Sequence, residues 1–202
     1  MFSTVLLALL VVALLGLVAV ESGPNRSREV ALVAAMAAAA AGGRVVFAAI
    51  PNVQPVTIMV AVTGAALGYR AGIATGAAAA LVSNAFLGQG PWTPWQMLGW
   101  ALVGLTAAPL ARPLANRWAL AVFGLVWGFL FDWLQDVWVW SALGSSANLA
   151  AYRVVVARGL PFDVAHATGN VLLALVAGPV LVRTLKRYDR KLHGTFVPKE
   201  QT

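Results

Sequence analysis

Apolar residues run in long blocks along this chain, and polar residues are confined to short breaks between them. A helix needs about 20 apolar residues to cross the hydrocarbon core of a bilayer. On that measure the pattern predicts spans over 2–20, 29–50, 55–69, 71–88, 95–111, 118–140 and 162–185. The third is short and begins at Pro55. The first has the length of a secretory leader, but Met1-Phe-Ser-Thr4 carries no basic residue and Arg26 and Arg28 follow the apolar run. It reads as a retained helix with its N-terminus outside.

Two of the breaks are unusual. Pro51-Asn-Val-Gln-Pro-Val-Thr57 is a polar elbow between the second and third spans. Phe86-Leu-Gly-Gln-Gly-Pro-Trp-Thr-Pro-Trp-Gln-Met97 follows the fourth, and its glycines and prolines fix a particular loop shape beside two indole rings. A chain this apolar has reason to place amides at two helix ends if a small molecule is held there.

Seven alternating spans put Arg26, Arg28, Arg70, Arg112, Arg117, Arg183, Lys186, Arg187, Arg190, Lys191 and Lys199 on one side. That is eleven of the fourteen basic residues; Arg44 falls within a span, and Arg153 and Arg158 fall in an outer loop. Basic residues mark cytoplasmic loops, so the C-terminus is predicted to be cytoplasmic. The Pro51 elbow, the Gln89–Trp95 loop and a long Ser141–Pro161 connection then share the external face.

Composition agrees. The chain is 60% hydrophobic and 10% charged over 202 residues, too little charge to clothe a water-soluble domain of this size. The net charge of +7 is dispersed between spans and not gathered with aromatics, so it reports orientation and not a nucleic-acid partner. With no cysteine, thiolate metal sites and disulfides are excluded.

Within the spans, Ala31, Ala35 and Ala39, flanked by Ala34 and Ala38, place methyl-sized side chains on one helical stripe. Such a stripe favours close helix contact, either inside the bundle or with a partner subunit. Gly64, Gly68, Gly72, Gly76 and Ala80 extend the same pattern into the next two spans. An Arg at mid-bilayer costs about 2.5–3.5 kcal/mol on insertion scales, so Arg44 should face the interior or snorkel outward. Asp132 and Asp136 lie one turn apart on one face, and an Arg44–Asp132 pair is the simplest way to match the charges. His166 and Asn170 share a face, with Pro161 and Asp163 read as a helix start just before them. A lone His there reads as a hydrogen-bonded packing residue, with no second His or Cys nearby to make a metal site. No phosphate-cradling glycine loop and no Gly-x-Ser-x-Gly elbow is present, so no catalytic residue and no cofactor is assigned.

The order of these segments resembles the substrate-binding S component of energy-coupling factor (ECF) vitamin transporters. The resemblance covers residues 29–190 and rests on the alanine-rich helix ending in Gly43-Arg-Val-Val-Phe-Ala-Ala-Ile-Pro-Asn-Val-Gln-Pro-Val-Thr57, on Gly64-Ala-Ala-Leu-Gly-Tyr-Arg-Ala-Gly72, on Ala80 to Met97, and on Gly159-Leu-Pro-Phe-Asp-Val-Ala-His166. It implies an all-α integral membrane protein, a compact six-helix bundle with a vitamin pocket near the external face, here preceded by one extra N-terminal transmembrane helix. It also implies a prokaryotic cell membrane, a transmembrane T subunit, two ATPase subunits, and movement of vitamin by toppling of the whole bundle. The parts are then residues 1–28 as extra helix and link, 29–190 as substrate-binding domain, and 191–202 as cytoplasmic tail. Arg44, Asn52, Gln54, Asn84, Gln89, Trp92, Trp95 and Gln96 become the substrate-binding set, and Ala31, Ala34, Ala35, Ala38 and Ala39 the docking stripe. The Gly88-Gln-Gly-Pro-Trp-Thr-Pro-Trp-Gln96 segment is most similar to the cobalamin type. Rival readings are a self-contained secondary transporter, for which matched inverted halves are missing, and a membrane assembly protein, which leaves both polar loops unexplained.

Overall fold

The computed structural model describes residues 26–193. The predicted first helix and the tail beyond His193 lie outside them. Seven α-helices follow one another: α1 (Arg26–Val46), α2 (Val56–Leu67), α3 (Tyr69–Leu87), α4 (Thr93–Ala107), α5 (Arg117–Ser141), α6 (Leu149–Val176) and α7 (Gly178–His193). Short 3₁₀ turns over Phe47–Ala49, Ala108–Leu110, Pro113–Ala115 and Gly144–Ser146 connect some of them, and no strand occurs among the described residues. This is an all-α membrane bundle. Three stretches, Glu29–Ala49, Arg117–Ser141 and Leu149–Val176, are long and apolar enough to cross a bilayer, and Val56–Leu67 is a shorter apolar helix.

Glycine sets how closely α2, α3 and α4 approach. A Cβ on Gly104 would lie 2.2 Å from the Gly72 carbonyl carbon, one on Gly64 2.3 Å from Gly104 O, and one on Gly76 2.4 Å from Trp100 O. Backbone meets backbone there, so no larger residue fits. Gly68, between α2 and α3, has φ of +89°, a conformation open to glycine at little cost. The α5–α6 hairpin uses the same device, because a Cβ on Gly128 would meet Ala167 Cα at 2.5 Å.

One predicted boundary is corrected. The connection read as a long outer loop from Ser141 to Pro161 is mostly helix: α6 begins at Leu149, capped by Asn148 Oδ1 accepting from Ala151 N at 2.9 Å, and Pro161 lies inside it. Arg153 and Arg158 are therefore exposed on α6, and Pro161 with Asp163 does not start a helix. Proline is tolerated inside membrane helices because neighbouring groups re-satisfy the backbone it frees. The last predicted span, 162–185, is divided at Ala177, after which α7 packs against α2 with Val182 and Leu185 buried.

Alternation of these helices gathers the Pro51 elbow, the Gln89 loop and the α5–α6 turn at one end of the bundle. The opposite end carries Arg70, Arg112, Arg117 and the basic face of α7.

Candidate substrate site at the loop end of the bundle

Arg44, in the last turn of α1, is 8% exposed and organises the site. Its Nη1 donates to Ser83 Oγ at 2.7 Å and to Asn84 Oδ1 at 2.5 Å, both on α3. Its Nε donates to Gln54 Oε1 at 2.7 Å, from the elbow between α1 and α2. The guanidinium carbon also stands 5.1 Å from the centroid of the Trp100 ring on α4. Hydrogen bonds from a charged donor contribute about 1.5–3 kcal/mol each, and a desolvated cation–π contact about 2 kcal/mol, so neutral partners suffice to hold this cation. The Arg44–Asp132 pair expected from sequence does not form: each side chain has other partners.

From Asn84 the network continues into the glycine- and proline-rich loop. Asn84 Nδ2 donates to Gln96 Oε1 at 2.8 Å and to Thr93 Oγ1 at 2.9 Å. Thr93 Oγ1 in turn donates to Gln89 Oε1 at 2.9 Å, and Gln89 Nε2 donates to the Leu81 carbonyl at 2.9 Å. The Gly90 backbone N–H reaches Thr93 Oγ1 at 3.3 Å. The Trp92 ring lies over Gly90, where a Cβ would meet it at 2.3 Å. That contact explains the small residue between Gln89 and Pro91.

A second chain of hydrogen bonds lies beside the first. Asn52 adopts φ of +58°, tolerated by asparagine in turns, and aims its amide at α5 and α6. Its Nδ2 donates to Asp132 Oδ2 at 2.9 Å and to the Phe162 carbonyl at 3.1 Å. The same Asp132 oxygen lies 3.1 Å from His166 Nδ1, and His166 Nε2 lies 3.0 Å from Thr57 Oγ1. In a neutral ring, Nδ1 carries the hydrogen and Thr57 donates to Nε2. Thr57 Oγ1 also accepts from Trp100 Nε1 at 3.2 Å. Trp100 stacks on Phe131 with centroids 4.6 Å apart, and Phe131 meets the His166 ring edge-on at 5.4 Å. The indole of Trp100 thus contacts both networks.

Of the eight residues predicted to bind substrate, Arg44, Gln54, Asn84 and Gln96 join one network directly and Gln89 joins it through Thr93, while Asn52 anchors the adjoining one. The Trp92 and Trp95 side chains hydrogen-bond to neither network. Trp100, Thr57, Ser83, Thr93, Asp132 and His166 complete the networks; Thr57 and Thr93 lay within the two polar breaks and Ser83 beside Asn84, but nothing in the sequence showed which partners they meet. Asp132 and His166 were visible as polar groups on helical faces, but their mutual contact was not.

Not every polar atom is satisfied. Both amide atoms of Gln135, Trp95 Nε1, Asp136 Oδ2 and Asp163 Oδ2 are buried without a hydrogen-bond partner, as are Thr75 Oγ1 and Asn170 Oδ1. Such a group costs about 1–3 kcal/mol. The described residues contain no group of three His, Asp or Glu side chains placed to hold a metal ion.

On α1 the alanine stripe faces away from all of this. Ala31, Ala34, Ala35, Ala38 and Ala39 are exposed, while Met36, Ala37, Ala40 and Ala41 on the opposite face are buried. Among the described residues these five alanines are not covered by another helix.

A membrane bundle with amides and an arginine converging at one end has the form of a small-molecule binding subunit. The family described as ECF-type riboflavin transporter, S component, matches residues 24–187, about four fifths of the chain. The chain belongs to that family, and is a substrate-binding membrane subunit of a transporter, not an enzyme. No curated protein and no solved structure matches it. The match supports the S-component reading; it names riboflavin and leaves the cobalamin refinement without support of its own.

Proposed function

We propose that this protein captures a vitamin at the external face of a prokaryotic cell membrane and delivers it to the cytoplasm with a T subunit and two ATPase subunits. The observation that carries the reading is the Arg44 network, which draws Gln54, Asn84 and Gln96 from three separate segments to one end of the bundle. Positive residues at the other end support a cytoplasmic C-terminus, so the network lies outside. Residues 29–190 form the binding domain, 1–28 an added helix and link, and 191–202 a cytoplasmic tail.

In this mechanism the vitamin contacts the amides of Asn52, Gln54, Asn84, Gln89 and Gln96, while Trp92 and Trp95 cover its ring. Arg44 holds the amides in register. The exposed alanines of α1 dock on the T subunit, where flat methyl-sized side chains permit close approach without a hydrophobic gain over lipid. With the vitamin bound, the bundle topples and carries the site across the bilayer. A chain only 10% charged is compatible with that motion.

Cobalamin is the substrate put first, because its periphery of amide groups complements a site whose side chains each offer both donor and acceptor. The family description favours riboflavin as the second reading. Titration of detergent-purified protein with cyanocobalamin and with riboflavin separates them. Binding of either, weakened by Gln89→Ala and Trp92→Ala, supports the site; affinities within twofold of wild type in both variants would remove these residues from it.

A further inference from the structure

We infer that Gln135 and Trp95 form a second hydrogen-bonding station for the substrate, one that reads an amide or imide group; the inference rests on the binding role proposed above. Trp95 and Gly99 are four residues apart on α4 and so share a face. A Cβ on Gly99 would stand 3.5 Å from Gln135 Nε2 and 2.7 Å from the Phe131 ring, which fixes that face against α5. Gln135 of α5 and Trp95 of α4 therefore border one α4–α5 seam, one helical turn apart along α4.

This seam holds an amide whose donor and acceptor are both buried and unpartnered, with an unpartnered indole N–H one turn away. In the Arg44 network Gln54 and Gln96 accept through Oε1 and keep Nε2 donors for a ligand, but those amides are only part-buried. Gln135 Nε2, Gln135 Oε1 and Trp95 Nε1 are buried with no partner at all. One donor and one acceptor on a planar amide match the C=O and N–H of another amide in a paired, two-bond arrangement, and the indole N–H adds a donor for a second carbonyl. A group of that kind occurs both on the amide arms of cobalamin and on the dione edge of riboflavin. The seam thus adds buried, unpartnered hydrogen-bonding atoms to the part-buried amides of the Arg44 site.

The test uses the full chain purified in mild detergent, with cyanocobalamin and riboflavin as separate probes. Gln135→Leu removes both orphan atoms at nearly constant volume, and Trp95→Phe removes one. Two lost hydrogen bonds correspond to about a tenfold loss of affinity in Gln135→Leu for whichever vitamin wild type binds, with a smaller loss in Trp95→Phe. Without vitamin, Gln135→Leu should melt no lower than wild type, since an unsatisfied amide has gone. A variant melting as high as wild type and binding within twofold would overturn the inference and leave the Arg44 site standing. Should Gln135→Leu melt lower, Gln135→Glu, which keeps the acceptor and changes the donor, decides: unchanged affinity overturns the inference. A wild type that binds neither vitamin would overturn the binding role and this inference together.

Discussion

Arg44 and Asn84 lie 40 positions apart in sequence and meet at 2.5 Å, guanidinium to amide oxygen, inside a chain that is 60% hydrophobic. Asn84 passes the contact on, its own nitrogen donating to Gln96 and Thr93. One buried amide therefore ties α1, α3 and the start of α4 together.

Replacing Asn84 by leucine leaves the Arg44 cation, Gln96 and Thr93 each short of a partner. The variant is expected to lose about 2–3 kcal/mol of stability, read as a lower melting temperature in detergent. Arg44→Lys should not restore the network, because an ammonium lacks the fork that reaches Gln54, Ser83 and Asn84 together.

Glycine contacts give an opposed pair. Gly104→Leu drives a side chain into the Gly72 backbone and is expected to cost at least about 3 kcal/mol or abolish folding. Gly42→Ala meets nothing within 4 Å on an exposed helical position and should stabilise by about 0.5–1 kcal/mol. Melting curves of the two variants under one condition check both.

Asn52 separates side-chain bonding from backbone conformation. Asn52→Gly keeps access to φ of +58° and loses both hydrogen bonds, for a cost of about 1–2 kcal/mol. Asn52→Ala loses the bonds and adds about 1 kcal/mol of left-handed strain. Equal melting temperatures would show that the conformation contributes nothing.

The α1 stripe predicts a split result. Ala35→Trp with Ala39→Trp, both on an exposed face, should leave vitamin affinity within twofold yet abolish co-purification with a T subunit. Retained co-purification would place docking elsewhere.

How much of this was legible in the sequence varies with the physics. Span positions follow from block hydropathy, and α1 to α5 lie close to where they were expected. Pro161 misled because a rule about soluble helices was applied where neighbouring helices supply what proline removes. Pairing across the bundle was not legible, and the Arg44–Asp132 guess shows why. In lipid a helix is apolar on most sides, so periodicity does not say which face meets which neighbour, and charge matching ignores the neutral amides that reach Arg44 first. The amides themselves were found because the Pro51 and Gln89 breaks hold nearly all the uncharged polar side chains of that region. Gln135 was missed because it stands between two aspartates and an apolar run, and its isolation shows only once the helices are packed.

Whether the protein holds a vitamin is read from mass spectrometry of small molecules released from protein purified in mild detergent with no vitamin added. Specific enrichment of one vitamin, cobalamin first and riboflavin second, is expected, and it should be lost in Trp92→Ala. An empty wild-type protein that also fails to take up either vitamin when it is supplied would contradict the proposed binding role.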